Sequence, residues 1–292
     1  MKKIALVTSG KAYMPEIKAY KDFFSREYIV DIRSDNEELL SYDILWYFMG
    51  TKSRRKKRGQ FVIHEYSSLS TPPFPKFKNF LKKMFLAKPD LRVFLNSNVK
   101  KEMNFNDDVP YCYRDMGVNT NSLTNEDIEV EFDIIYVGAI AGRKLDKAID
   151  ILLSYDEGIK ICVVGLVGDD FKKKYSLNHN IKFVGKVAHE LVAGYILKSK
   201  LCLNWIPNIY PYNIQTSTKF LEYAVLQKRI ISNSYQWVNE FCKKNEIYYI
   251  DIEDYSLIKS HLSHCERQIY NFSPLSWQDV IKDSNISNFL PK

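Results

Sequence analysis

The sequence predicts an α/β chain built as two successive doubly wound sheet units. Three observations carry this. Short apolar runs alternate with amphipathic stretches along all 292 residues, as strands alternate with crossover helices around parallel sheets. The length exceeds what one core usually fills, so two domains of about 130–150 residues are expected. A polar stretch without helical or strand period, Val118–Asp127, separates the two series of runs.

Taken in order, the first half offers strands at Lys3–Thr8, Tyr28–Ile32, Ile44–Phe48, Phe61–His64 and Arg92–Leu95. The second half offers Asp133–Val137, Lys160–Val164, Ile181–Val184, Leu201–Trp205, Arg229–Ser232 and Ile247–Ile250. Each run is apolar on both faces, as strands covered by helices on both sides must be. The expected domains are residues 1–125, residues 126–272, and a terminal segment, 273–292, that returns to the first domain.

Composition narrows the function classes. Gly and Pro number only 11 and 10, which excludes collagen-like or low-complexity chains. No stretch approaches the roughly 20 apolar residues of a membrane-spanning helix, and the N-terminal apolar run is too short for a secretory signal. The five cysteines are scattered and never paired as Cys-x-x-Cys, so they read as reduced, buried thiols of a cytoplasmic protein and not as a zinc site.

The net charge is +7, yet Lys52–Lys88 alone holds eleven Lys or Arg against one acid, Glu65. Basicity is therefore a property of one segment. Its first part is a dense run containing Arg54, Arg55, Lys56, Lys57 and Arg58. Its second part places Phe77, Phe80, Leu81, Met84 and Phe85 at helical spacing, with Lys78, Lys82 and Lys83 off that face. Two readings stand: a basic amphipathic helix lying on an anionic membrane surface, or a core-packing helix with a solvated basic back. Nucleic acid is the weaker rival anion, because no nucleic-acid-binding motif accompanies the charge.

The stretch Thr216–Asn233 carries the clearest chemistry. Hydroxyl residues precede a helix that leads into a strand. Backbone N–H groups at such a helix start bind anions, and Ser217 and Thr218 add hydroxyls. Lys219 and Glu222 share a face three residues apart, and Glu222 is placed to accept from ribose hydroxyls.

The order of elements over 133–233 then resembles a known family. It includes Tyr136-Val137-Gly138 followed by Arg143-Lys144, then Ile161–Gly165, Asn180–Val187, Leu201–Pro207 and the Thr216–Asn233 unit. This resembles the donor-binding domain of GT-B glycosyltransferases, in particular the retaining bacterial family of lipopolysaccharide glucosyltransferases and phosphatidylinositol mannosyltransferases. The first half is similar more loosely, through Val93–Asn98, Met116-Gly117-Val118-Asn119 and Phe61–Glu65. Ser276-Trp277-Gln278-Asp279 resembles the helix that crosses back.

The resemblance implies two Rossmann-like domains facing across a cleft, with the donor mainly on the second and the acceptor on the first. Arg143 and Lys144 would neutralise the donor diphosphate, whose charge grows as it leaves. Glu222 would hold the ribose, Ser217, Thr218 and Lys219 would face the phosphates, and Gly10 would let backbone approach the donor. His64 would position an acceptor hydroxyl in a retaining enzyme, and His64 or Glu65 would be the general base in an inverting one. The family's first Glu, eight residues before Glu222, falls here on Ile214, and the Gly after the Arg-Lys pair is Leu145.

The implied function is transfer of a sugar from a UDP- or GDP-linked donor to a glycan or lipid-linked acceptor in bacterial surface polysaccharide or lipopolysaccharide synthesis. It implies no cofactor or metal, and a cytoplasmic protein peripheral to the inner face of the cell membrane. Two alternatives remain open at this point: a catalytically silent scaffold of the same fold, which Ile214 favours, and a basic nucleic-acid-binding α/β protein.

Overall fold

All the expected apolar runs fold as strands, with ends within three residues of those expected. The computed structural model describes residues 1–10, 14–48, 57–119, 128–264, 268, 270 and 276–292. The chain divides into two units, the first made of Met1–Gly117, Ile214–Thr216 and Leu275–Lys292, the second of Val118–Asn213 and Ser217–Pro274. Positions 120–127 of the expected seam lie outside the described residues.

The first unit runs β1 (Lys3–Thr8), α1 (Pro15–Phe24), β2 (Ile29–Ser34), β3 (Ile44–Phe48), β4 (Phe61–Tyr66), α2 (Pro75–Phe85), β5 (Leu91–Phe94), α3 (Ser97–Met103) and β6 (Tyr111–Tyr113). The six strands form one parallel sheet in the order β2-β1-β3-β4-β5-β6. Strand β6 has only three residues, too few to show an alternation pattern, and the sequence reading passes over it.

On one face of this sheet Ile4, Trp46 and Ile63 pack with Tyr20 and Phe24 of α1, and Ile281, Ile286 and Leu290 of the chain's last segment complete the same core. The fit there is tight. A Cβ on Gly117 would lie 2.6 Å from the Trp277 ring, so only glycine lets the tryptophan seat.

The second unit runs β7 (Phe132–Val137), α4 (Leu145–Tyr155), β8 (Ile161–Val164), α5 (Asp169–Lys174), β9 (Ile181–Gly185), α6 (His189–Leu197), β10 (Ser199–Asn204), α7 (Thr218–Val225), β11 (Arg229–Ser232), α8 (Gln236–Asn245), β12 (Ile250–Asp251) and α9 (Tyr255–Ser263). Its parallel sheet has the order β12-β11-β10-β7-β8-β9. Leu145, Ile149 and Leu152 of α4 bury against Ile134, Ile161, Leu203 and Ile231.

This order places a topological switch point in each sheet. From β7 the chain builds outward through β8 and β9, then crosses back to lay β10 on the other side of β7. From β1 it builds β2, then crosses to β3. In open parallel sheets the loops leaving the carboxyl ends of such strands part and leave a crevice that binds ligands. The loops in question are 138–144 and 205–213 in the second unit, and the stretch past β1 that includes Gly10 in the first.

The loops after β7 and β8 touch through Gly138 and Gly165. Gly165 has φ +154°, and a Cβ there would lie 2.1 Å from the Gly138 carbonyl oxygen. Gly165→Ala is therefore expected to lower unfolding stability by at least about 2 kcal/mol, read by chemical denaturation. A loss below a few tenths would contradict the close approach.

Candidate functional site

The switch point of the second unit gathers the residues singled out in its sequence. Parallel pairing between β7 and β10 ends at Tyr136 and Leu203. Beyond it, the Val137 N–H donates to the Tyr223 hydroxyl of α7 at 3.0 Å, and that hydroxyl lies 3.5 Å from the Leu203 carbonyl. Helix α7 is thereby pinned into the opening between the two strands.

At its start, Ser217 is the N-cap: its Oγ accepts from the Phe220 N–H at 3.3 Å and donates to Asn204 Oδ1 at 2.7 Å. Asn204, the last residue of β10, donates in turn to Ser232 Oγ at 2.9 Å and to the Tyr235 hydroxyl at 3.0 Å. The Ser217 hydroxyl is thus committed inside the protein and buried. This corrects its expected role: Ser217 builds the helix start, and Thr218 is the first helical residue behind it. Further along α7, Lys219 Nζ meets Glu222 Oε2 at 2.6 Å, with the side chains 28% and 14% exposed.

The loop after β7 is held just as closely. The Trp205 indole N–H lies 3.0 Å from the Arg143 carbonyl and 3.1 Å from that of Lys144. The Arg143 guanidinium stacks over the Tyr212 ring, 4.2 Å from its centroid, a contact worth about 0.5–1 kcal/mol where partly exposed. Lys144 takes a left-handed conformation, φ +52°, and caps α4, which leaves its side chain exposed. Two cations in the loop after β7, and a helix start with a half-buried carboxylate after β10, thus lie past the carboxyl ends of two neighbouring strands of one unit.

Asn204, Trp205 and Tyr212 are absent from the sequence-derived site. The available signal is a buried polar residue ending an apolar strand, followed by aromatics in a loop. Ile214, where the resembling family has Glu, is buried in a 3₁₀ turn, Tyr212–Ile214. Gly10 lies in the first unit, past the carboxyl end of β1, with φ +69° and open space around it.

His64 and Glu65 require correction as proton acceptors, because both are wholly buried in β4. Glu65 forms an ion pair with Arg114, itself wholly buried. It also accepts from the Trp46 indole at 2.8 Å and from Ser67 at 3.2 Å. Arg114 further donates to the Tyr20 hydroxyl at 3.1 Å and lies 3.6 Å from Glu16. Burial alone would lower the Arg114 pKa, but the charge of Glu65, with Tyr20 and Glu16, more than reverses this. Glu65 is accordingly a structural counter-ion.

Neither ring nitrogen of His64 has a hydrogen-bond partner among the described residues. Burial, aided by the charge of Arg92, holds its pKa down at about 3. Arg92 is locked by a two-pronged pair with Asp107, at 2.5 and 2.8 Å.

Of the basic run, Arg54, Arg55 and Lys56 lie outside the described residues, while Lys57 and Arg58 are described, the latter exposed. The second part does form a helix, α2, but its orientation overturns the core-packing reading. Phe77 is 60% exposed and Phe80 54%, whereas Asn79 is the buried residue and Lys78, Lys82 and Lys83 are half-buried.

No model of a known protein family matches the sequence, and no curated protein does. Solved structures do match. AviGT4, a glycosyltransferase involved in avilamycin A biosynthesis, aligns over 99% of this chain and 97% of its own at 10% identity, with a TM-score of 0.65. Anabaena HepE, solved with UDP and glucose, aligns over 99% and 98% at 9% identity, with a TM-score of 0.68. A glycosyltransferase from Rickettsia africae aligns over 99% and 97% at 12% identity, with a TM-score of 0.63. The chain has the GT-B glycosyltransferase fold. At such identities the likeness is one of fold, and the site rests on this chain's own residues. Among those described, no helix is long and apolar enough to cross a membrane.

Two outcomes follow from this geometry. Ser217→Ala removes the α7 cap and leaves Asn204 Oδ1 without its donor, so it should cost about 1–2 kcal/mol in chemical denaturation. His64 binds a proton in the unfolded chain below about pH 6.5 but not in the folded one until about pH 3. Its contribution is thus neutral above pH 6.5 and destabilising as pH falls through that window. Wild type should lose about 2 kcal/mol more than His64→Phe between pH 7.5 and pH 5. Parallel stability curves for the two would show that His64 titrates normally.

Proposed function

We propose that this chain transfers a sugar, a hexose in the simplest case, from a nucleotide-sugar donor to a glycan or lipid-linked acceptor. The observation that carries the reading is the pairing, at the second unit's switch point, of cations with a carboxylate one turn inside a helix. Arg143 and Lys144 flank the crevice from one loop, and the α7 start with Lys219 and Glu222 flanks it from the other. A nucleoside diphosphate asks for that combination: positive charge and backbone N–H groups for the phosphates, and an acceptor of hydrogen bonds for the ribose.

In the reaction the bond from the anomeric carbon to the phosphate oxygen breaks. A bond to the acceptor oxygen forms, and the acceptor hydroxyl's proton passes to the leaving diphosphate. The leaving diphosphate gains charge, which on this reading the two cations and the α7 start meet without a metal. Neither His64 nor Glu65 takes the proton. HepE is solved with UDP-glucose, which supports a uridine-linked donor over a guanosine-linked one. The bacterial setting proposed is surface polysaccharide or lipopolysaccharide assembly at the cytoplasmic face of a membrane. Ile214 supports one second reading, a scaffold that binds nucleotide without transferring sugar.

A thermal-shift panel of UDP, GDP, CDP, ADP and TDP tests the proposal. One nucleotide at a hundred times its dissociation constant should add about 2.7 kcal/mol of stability. Arg143→Ala and Glu222→Ala should each weaken that binding by about tenfold or more. No response to any of the five would overturn the site. Binding without hydrolysis or transfer of any matching nucleotide sugar would favour the scaffold.

A further inference from the structure

Helix α2 is turned the opposite way from a core helix. Around its axis, Asn79 points to the protein and accepts from the Ser70 N–H at 3.0 Å. Lys83 reaches back to the Asn104 carbonyl, and Lys78 to the Thr71 carbonyl at 3.1 Å. The opposite face carries Phe77, Phe80, Met84 and Phe85, which are 60%, 54%, 62% and 81% exposed, and Phe74 just before the helix is 76% exposed. Four large apolar side chains on one helix face, with a fifth just before the helix, are not a scatter of single exposed residues, and a patch of this kind marks an interaction surface.

Charge chooses the occupant. Helix α2 is the crossover from β4 to β5, so it leads back to the end of the sheet where those two parallel strands begin. Exposed Arg58 leads into β4 and exposed Lys88 into β5, so both belong to that same end. Among the described residues 57–88 seven are Lys or Arg and one is an acid, Glu65, which is buried. A second copy seated on this face would bring two basic flanks together. An anionic lipid surface satisfies both the aromatic face and the cations.

We propose that the outward face of α2 enters the headgroup region of an anionic bilayer, with the cations around it meeting lipid phosphates. This deepens the transfer reading, on which it rests, by naming the surface that carries the first unit to a membrane-resident acceptor.

The test uses the full chain in vesicle flotation, with neutral phosphatidylcholine vesicles and vesicles roughly one third phosphatidylglycerol. Wild type should float with the anionic vesicles and stay largely unbound with the neutral ones. Phe77→Ser/Phe80→Ser, and independently Phe85→Ser/Met84→Ser, should lower partitioning by at least about tenfold. Arg58→Glu/Lys88→Glu should lower it and flatten its salt dependence. All these positions are exposed, so the nucleotide-induced thermal shift should persist in each variant. Absence of flotation, or flotation unchanged by the substitutions, overturns the docking surface. So does a wild-type dimer that Phe77→Ser/Phe80→Ser converts to monomer. Flotation without any nucleotide response strikes the transfer reading instead and leaves the docking surface standing.

Discussion

Where β7 and β10 stop pairing, the backbone groups they expose must find other partners, and the second unit is built around that requirement. The Val137 N–H goes to Tyr223. Ile206, past the end of β10, is bracketed by the Asn233 side chain, which accepts from its N–H at 3.1 Å and donates to its carbonyl at 2.8 Å. Both substitute partners come from the chain after β10, so satisfying the parted strands also fixes α7 and the loop after β11. The crevice is therefore not a gap left over from packing. Its walls are the hydrogen bonds that replace the missing ladder.

The first unit solves a different problem. Arg114 and Glu65 are both out of water, and removing one partner of such a pair typically costs about 3–5 kcal/mol because the other is left uncompensated. The surroundings answer most of the remaining hydrogen-bonding capacity: Trp46 and Ser67 on the carboxylate, Tyr20, Ser67 and the Asp115 carbonyl on the guanidinium. Glu16 lies near enough to add a second negative charge. The cluster ties β4 and α1 to the segment just after β6, and so fixes where the chain leaves the sheet on its way to Gly117. A carboxylate so occupied orders the fold. It is poorly suited to exchanging protons with a ligand.

Much of this architecture was legible in the residues, and the reasons differ by element. Parallel strands covered on both faces must be continuously apolar, so runs such as Ile44–Phe48 and Arg229–Ser232 announce themselves. β6 has three residues, which no periodicity can mark. The orientation of α2 was not legible, because an amphipathic pattern says which residues share a face and not whether that face meets the core. His64 and Glu65 misled for a related reason: polar residues in a strand look the same whether they reach a ligand or a buried counter-charge. Arg143, Lys144, Lys219 and Glu222 could be named because the order of elements around them resembles a family that carries charges at the matching positions. Trp205 and Tyr212, which hold the Arg143 loop, could not, because their contacts lie about 60 residues or more away along the chain.

The Lys219–Glu222 pair bears on how the crevice changes state. With side chains 28% and 14% exposed, the two groups are partly open to water and their attraction is modest. Both are oriented, one turn into a helix pinned by Ser217 and Tyr223. On the proposed reading, a diphosphate would draw Lys219 and a ribose would draw Glu222, so the ligand replaces a weak contact with two stronger ones. The ion pair thus holds each side chain near its ligand-bound position at small cost to affinity. Arg143 over Tyr212 works in the same way: the ring holds the guanidinium's plane by stacking and leaves its N–H edges free to donate. Ile214 contributes no charge to this arrangement. On the proposed reading, groups other than the carboxylate that the resembling family places there orient the donor sugar.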